Sequence, residues 1–173
     1  SPQTPNQTNS LTLQTAIMRV ATFAPIAILA TKAVAQLSVI QGVLSGIQTE
    51  VVAYGEAFTS NDPDEILSQG DVLLATTTAG VPTVNAASSV SLIEALSLRT
   101  SIQALEAAVQ TTYDNAVARQ ADVEALGIAA EVHDDFVAQR EIVAVLGAAV
   151  ASKVPAAVRP LAQTYIDNID AII

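Results

Sequence analysis

The sequence predicts an all-α protein, a five-helix bundle whose helices are mostly antiparallel. Three observations carry this. Apolar residues recur at alternating steps of four and three along most of the chain. No run alternates polar with β-branched or aromatic residues, as a half-buried strand would. The apolar material is aliphatic: hydrophobic residues make up 51% of the 173-residue chain but aromatics only 3%, and Cys and Trp are absent. A core of Ala, Val, Leu and Ile lets helices approach closely, yet fills volume poorly where they diverge. A bundle built this way can keep an internal gap.

The first core helix carries Ile40, Leu44, Ile47, Val51, Tyr54 and Phe58 on one seam. Gly42 and Gly46 beside it either admit a close neighbour or weaken the helix. Thr59–Pro63 ends it, and Asp62 is placed to cap the next helix with Pro63 at its first position and Glu65 in its first turn. That second helix turns Ile66, Leu67, Gly70, Leu73, Leu74 and Thr77 inward. Residues 76–91, rich in Thr, Ser, Ala and Gly with Pro82 in their midst, read as a connection with at most a short turn near Val84. Ser89 or Ser91 caps the third helix, and Glu94 completes a capping box with Ser91. Leu98, Ile102, Leu105, Val109, Thr112 and Ala116 form the stripe of that helix, which bends near Arg119–Val123 and closes at Gly127. The fourth uses Ile128, Val132, Phe136, Gln139, Val143, Leu146 and Val150, with Lys153 in its last turn as the helix dipole favours. Pro155 separates it from the fifth, whose stripe is Val158, Leu161, Tyr165, Ile169 and Ile172.

The N-terminal region follows another plan. Met18 is the only methionine; Arg19 supplies a positive start, Val20–Ala30 an apolar run, and Ala33-Val34-Ala35 a small-x-small cleavage pattern. We read residues 18–35 as a signal peptide, residues 1–17 as a disordered upstream segment, and 36–173 as the single helical-bundle domain. The apolar run falls short of the ~20 residues a spanning helix needs, so no membrane span is expected. The formal net charge is −10, and no basic stripe is present to neutralise phosphates, which argues against nucleic acid. A signal-bearing, acidic, cysteine-free chain points to a secreted protein.

Catalytic chemistry finds no support. His133 is the only histidine, and its neighbours Glu131, Asp134 and Asp135 point in different directions around a helix. They read as a solvated polar face rather than a metal site. No serine sits in a nucleophile elbow, no glycine-rich phosphate loop is present, and no carboxylate lies on an apolar seam where burial would raise its pKa. No enzyme activity, metal or cofactor is expected. Gln139 interrupts an apolar stripe; its amide either holds the polar head of an apolar ligand or, the stronger reading, bonds another helix. Tyr54, Tyr113 and Tyr165 lie on or beside inner faces, at least two of them with the hydroxyl expected in water at the bundle's edge.

Three phrases carry a resemblance: Ile102–Asp114 (IQALEAAVQTTYD), Arg119–Gly127, and Ala148–Pro155 followed by an amphipathic helix. With these the chain resembles the fungal hydrophobic surface-binding protein A family, which includes cell-wall galactomannoproteins. The likeness extends over most of residues 37–173 and is clearest from Leu98 onward. Arg119-Gln120 replaces a lysine pair usual in the family, and Val123 stands where an aromatic is common. The resemblance implies a non-enzymatic helical protein, extracellular or in the cell wall, that binds fatty acids or similar lipids in a cavity between helices. The alternative it implies is adsorption to hydrophobic surfaces with recruitment of a secreted hydrolase such as cutinase, without a defined cavity. On the first reading the acyl chain lies among Ile47, Val51, Tyr54, Leu105, Val109, Tyr113, Phe136 and Val143, its carboxylate meeting Gln139 or a tyrosine hydroxyl.

Overall fold

The computed structural model describes the backbone from residue 24 and side chains from residue 36. The upstream segment 1–17, and the start of the expected signal peptide from Met18 to Phe23, lie outside the described residues. The chain divides between Ala35 and Gln36 into two units, and the second, Gln36–Ile173, holds the helical core.

Among the described residues there are six α-helices: α1 (Ala24–Ser60), α2 (Pro63–Ala86), α3 (Leu92–Ala118), α4 (Gln120–Leu126), α5 (Ala129–Lys153) and α6 (Arg159–Ile172), with a 3₁₀ turn at Ala156–Val158. The expected count of five is corrected at Arg119. The bend foreseen there is a break, because Arg119 leaves helical geometry (ψ 11°) and its N–H bonds back to Asn115 and Ala116. The short α4 then ends at Gly127, whose φ of 77° is the left-handed conformation that glycine adopts without a Cβ penalty.

The helix starts follow the sequence. Asp62 accepts the N–H groups of Asp64 and Glu65, with Pro63 at the first position. Ser91 and Glu94 exchange side-chain and backbone bonds in a complete capping box. The connection expected over residues 76–91 is not found at that length, since α2 continues through Pro82 to Ala86. Its last turns are held by tertiary contact: Val84 is fully buried, and the open side of Gly80 faces Val43, Ile47 and Leu146. Pro82 is tolerated because it lies on the exposed side, where water can bond the carbonyl it leaves unpaired. Lys153 stands in the last turn of α5 as expected, and it also reaches across to the Asn85 carbonyl at 2.8 Å, at the C-terminal end of α2.

Touching residues set the helix directions. Gly80 meets Val43 and Gly70 meets Tyr54, so α2 runs antiparallel to α1. Thr112 bonds the Val51 carbonyl and Asn115 that of Gly55, so α3 runs with α1. By the same logic α5 runs with α2, through Gln139–Gly70 and Lys153–Asn85. Helix α6 runs with α3, through Gln103–Tyr165 and Glu106–Asn168, and against α5, through Arg140–Asp170 and the contact of Gly147 with Ile166. Consecutive long helices therefore alternate up and down, and each lies alongside the next but one in the same direction.

The seam of α1 is the centre of the core: Ile40, Leu44, Ile47, Val51, Tyr54 and Phe58 are all buried. Near α6 the expected stripe holds at Val158, Tyr165, Ile169 and Ile172, which pack inward, and fails at Leu161, which is exposed while its neighbour Ala162 packs against the core.

Candidate functional site: an apolar cavity between the helices

A cavity of about 80 Å³ lies between α1, α2, α3, α5 and α6. Its walls come from Leu44, Ile47, Val51 and Tyr54 of α1, Leu73 and Thr77 of α2, and Ile102, Leu105, Val109 and Thr112 of α3. Phe136, Gln139, Val143, Leu146, Gly147 and Val150 of α5 continue the lining, and Ala162, Tyr165, Ile166, Ile169 and Ile173 complete it. The gap arises as the aliphatic composition suggests. Where Gly55 lets α3 come within touching distance of α1 the helices are tight, whereas the slender side chains around Val109 and Val143 do not fill the space between them.

Eight of the nine residues singled out in the sequence face this space: Ile47, Val51, Tyr54, Leu105, Val109, Phe136, Gln139 and Val143. Tyr113 does not. It stands behind Phe136, edge-on to that ring at 5.9 Å, because it follows Thr112 in the helix and so points past the seam. The main omission is α6, which supplies a whole wall. Its Tyr165 and Ile169 were legible as an apolar stripe, but nothing local says that the stripe covers a gap rather than a filled core.

The two threonine hydroxyls and the glutamine amide in the lining are turned to the backbone. Thr77 donates to Leu73 at 2.8 Å, Thr112 to Val51 at 2.7 Å, and the Gln139 amide to the Gly70 carbonyl at 3.2 Å. Gln139 is thus a bond between α5 and α2, buried to 4% exposure. With these groups engaged, the free volume meets hydrocarbon almost everywhere, as a dry apolar ligand requires.

At one end, Tyr54, Phe58, Phe136 and Tyr113 form an aromatic cluster, Tyr54 and Phe58 at 4.9 Å and Phe58 stacked on Phe136 at 6.4 Å. The Tyr54 hydroxyl is buried there and has no hydrogen-bond partner, nor does Asp135 Oδ2, and the Tyr54 ring edge and the Asp135 carboxyl both lie over Gly70. Hydroxyl and carboxyl approach one another but miss hydrogen-bonding geometry. Burial pushes the Asp135 carboxyl up to about 6, aided by the charges of Asp71 and Asp134 and partly offset by the Tyr54 hydroxyl. Burial, then the Asp135 charge, raises the Tyr54 hydroxyl above its usual range. This corrects two expectations. One carboxylate does sit where burial perturbs it, because the Cβ-free surface of Gly70 admits it between helices. The tyrosine hydroxyls are not mostly at a wet edge either: Tyr54 is enclosed, and Tyr165, also buried, accepts hydrogen bonds from Arg99 and Gln103. His133 is exposed beside Asp134, away from the cavity.

The profile of the family described as "Hydrophobic surface binding protein A" matches residues 30–152, well over half of the chain. The chain belongs to this family. Among curated relatives it is 27% identical over 134 residues to Cell wall mannoprotein 1 of Aspergillus flavus, covering 76% of this chain and 49% of that protein. The protein of the same name from Aspergillus fumigatus is 28% identical over 135 residues, covering 76% and 48%. The chain thus spans about half the length of these curated relatives. Among solved structures, ligand binding domain 1 of the Penicillium marneffei MP1 protein, complexed with arachidonic acids, superposes with a TM-score of 0.76 at 21% identity over 79% of this chain and 93% of that one. AFMP4P in complex with palmitic acid gives 0.73 at 20% identity, again over 79% and 93%. At these identities the likeness establishes a shared fold.

Proposed function

We propose that the chain is a non-enzymatic carrier that binds a fatty acid or similar single-chain lipid in the cavity between its helices, with Ile47, Val51, Tyr54, Leu105, Val109, Phe136 and Val143 around the acyl chain. The observation that carries this is the cavity itself, a hydrocarbon-walled space to which all five long helices contribute. Proteins of the same fold solved in complex with arachidonic and palmitic acids support the reading. Magnitudes add a constraint. At roughly 10–15 Å³ per water-sized group, the space takes about five to eight methylenes. At about 0.8 kcal/mol each that amounts to ~4–6 kcal/mol, whereas micromolar binding needs about 8. A long chain therefore enters only if the wall gives way. Helix α6 is the shortest of the five that form it, and its Ile166 and, just past its end, Ile173 are the partly buried side chains to move.

Mass spectrometry of lipids extracted from natively purified protein tests this. Stoichiometric fatty acid, displaced by other acyl chains and lost in Val143→Phe while helicity is retained, is the expected result. Protein that takes up no fatty acid overturns it. Residues 18–35 belong to this proposal as the secretion signal, and the wall or the medium as the place of action, in keeping with the cell-wall names of the curated relatives.

A second reading has its own observation. Leu92, Ile93 and Leu96 lie together at the start of α3, 49%, 79% and 52% exposed. Such an apolar cluster suits adsorption to a hydrophobic surface, with or without a filled cavity. Recruitment of a secreted hydrolase goes with this reading. Coating of hydrophobic beads that Ile93→Ser weakens, and co-adsorption of a cutinase, are its measurements.

A further inference from the structure

Resting on the acyl-chain reading, we propose that Arg99, Gln103 and Tyr165 form an anion site at one end of the cavity that receives the ligand's carboxylate and directs its tail toward Tyr54 and Phe136.

Tyr165 connects inside to outside. Its ring lines the cavity, and its hydroxyl accepts hydrogen bonds from Arg99 Nε at 3.0 Å and Gln103 Nε2 at 3.2 Å, both from α3. Neither bond uses the hydroxyl's own hydrogen, so a guanidinium, a carboxamide and an O–H donor converge at one point. That donor set matches a carboxylate in charge and in number of acceptor sites.

No ion pair among the described residues neutralises Arg99: those pairs join Arg119 to Asp122, His133 to Asp134 and Arg140 to Asp170. In a chain with 17 acidic and 7 basic residues, a cation left without an ion pair beside an apolar cavity is conspicuous. A smaller apolar groove leads to it from the surface, lined by Ala95, Leu98, Val154, Val158 and Leu161, and it shares Ile102, Ala162 and Tyr165 with the cavity. An acyl chain entering there passes Tyr165 and leaves its charged end at Arg99.

The other polar groups around the cavity are poor receivers. Gln139 is held by Gly70, Thr77 and Thr112 are held by backbone carbonyls, and Tyr54 lies next to Asp135, whose charge repels a carboxylate. The cavity is therefore polarised, cationic at the Arg99 end and acidic at the aromatic end. The α3 residues that line the cavity run from Ile102 to Thr112, ten steps that span about 15 Å at 1.5 Å per residue, a length suited to an extended acyl chain.

The test is titration calorimetry of the 173-residue chain with palmitate and with hexadecanol, which shares the chain but not the charge, at about pH 8, where a carboxylic acid is ionised. Arg99→Met is expected to weaken palmitate by about tenfold or more, as loss of a charged hydrogen-bond partner does, and to leave hexadecanol unchanged. Arg99→Lys should restore part of the loss, and Tyr165→Phe, which keeps the ring, should again weaken palmitate selectively. If Arg99→Met binds palmitate as the parent does, or loses both ligands equally, the anion site is wrong while the cavity reading stands. If the parent chain binds neither ligand, the cavity reading fails and the anion site with it.

Discussion

At Asp135, burial comes first among the causes that push the carboxyl up to about 6, followed by the charges of Asp71 and Asp134. The folded value lies above that of the unfolded chain, so the native state holds this proton more tightly. The stability it contributes is fully present below about pH 4 and is lost as pH rises through about 6. Glu94 and Asp170 work in the opposite sense. Ser91 and Arg140 respectively hold their carboxyls below the usual range, so their contribution is present at neutral pH and is lost only in stronger acid. Thermal melts from pH 4 to 7 should show a decline that Asp135→Asn abolishes. That variant should gain about 1 kcal/mol at pH 7, the shift being discounted for the solvent that reaches this half-buried group. An unchanged pH profile would show that the Asp135 carboxylate is solvated in the native state. Nothing in the sequence near Asp135 marks it, because its environment is made by Gly70 and Tyr54, far away in the chain.

The helices themselves were mostly legible. Caps at Asp62 and Ser91 are local chemistry between residues two or three apart, and the stripes of α1, α3 and α5 follow from helical period alone. Elsewhere packing overruled local preference, as in the passage of α2 through Pro82 and the exchange of Leu161 for Ala162 on the inner face of α6. The glycines show the same division. Gly42 and Gly46 were candidates for close approach, yet a Cβ at either meets nothing within 4 Å, whereas one at Gly55 would collide with Thr112 Oγ1 at 2.6 Å and crowd its Cα at 3.2 Å. Gly42→Ala should therefore stabilise the bundle by about 0.5–1 kcal/mol through helix propensity. Gly55→Ala should destabilise it by about 1–3 kcal/mol as α1 and α3 are forced apart. Urea denaturation of the pair decides the matter, and equal effects would contradict the close α1–α3 crossing at Gly55.

For the whole molecule, the cavity and the fold that encloses it are coupled through ligand. A ligand bound only by the native state at about a hundred times its Kd adds about 2.7 kcal/mol. For a chain of this size that should raise Tm by roughly 5–10 °C. Calorimetry with saturating palmitate should show such a rise, smaller with octanoate because fewer methylenes are buried. A Tm indifferent to both would favour adsorption through the exposed Leu92, Ile93 and Leu96 over an internal site.

By itself the sequence determined that the protein is helical, where most of its helices begin, which faces are apolar and, through the three phrases shared with the family, which relatives to expect. These are properties of short range, set by capping, period and composition. Only the tertiary structure decided that eight of the chosen residues surround an unfilled space rather than a solid core, since a stripe of Val and Ile looks the same in either. It likewise decided that Tyr113 stands outside, that α6 closes the wall, and that Arg99 and Tyr165, distant in sequence, meet at its edge. The reason is geometric: helical period states which way a side chain points, and only the separation of the helices states whether anything is there to meet it.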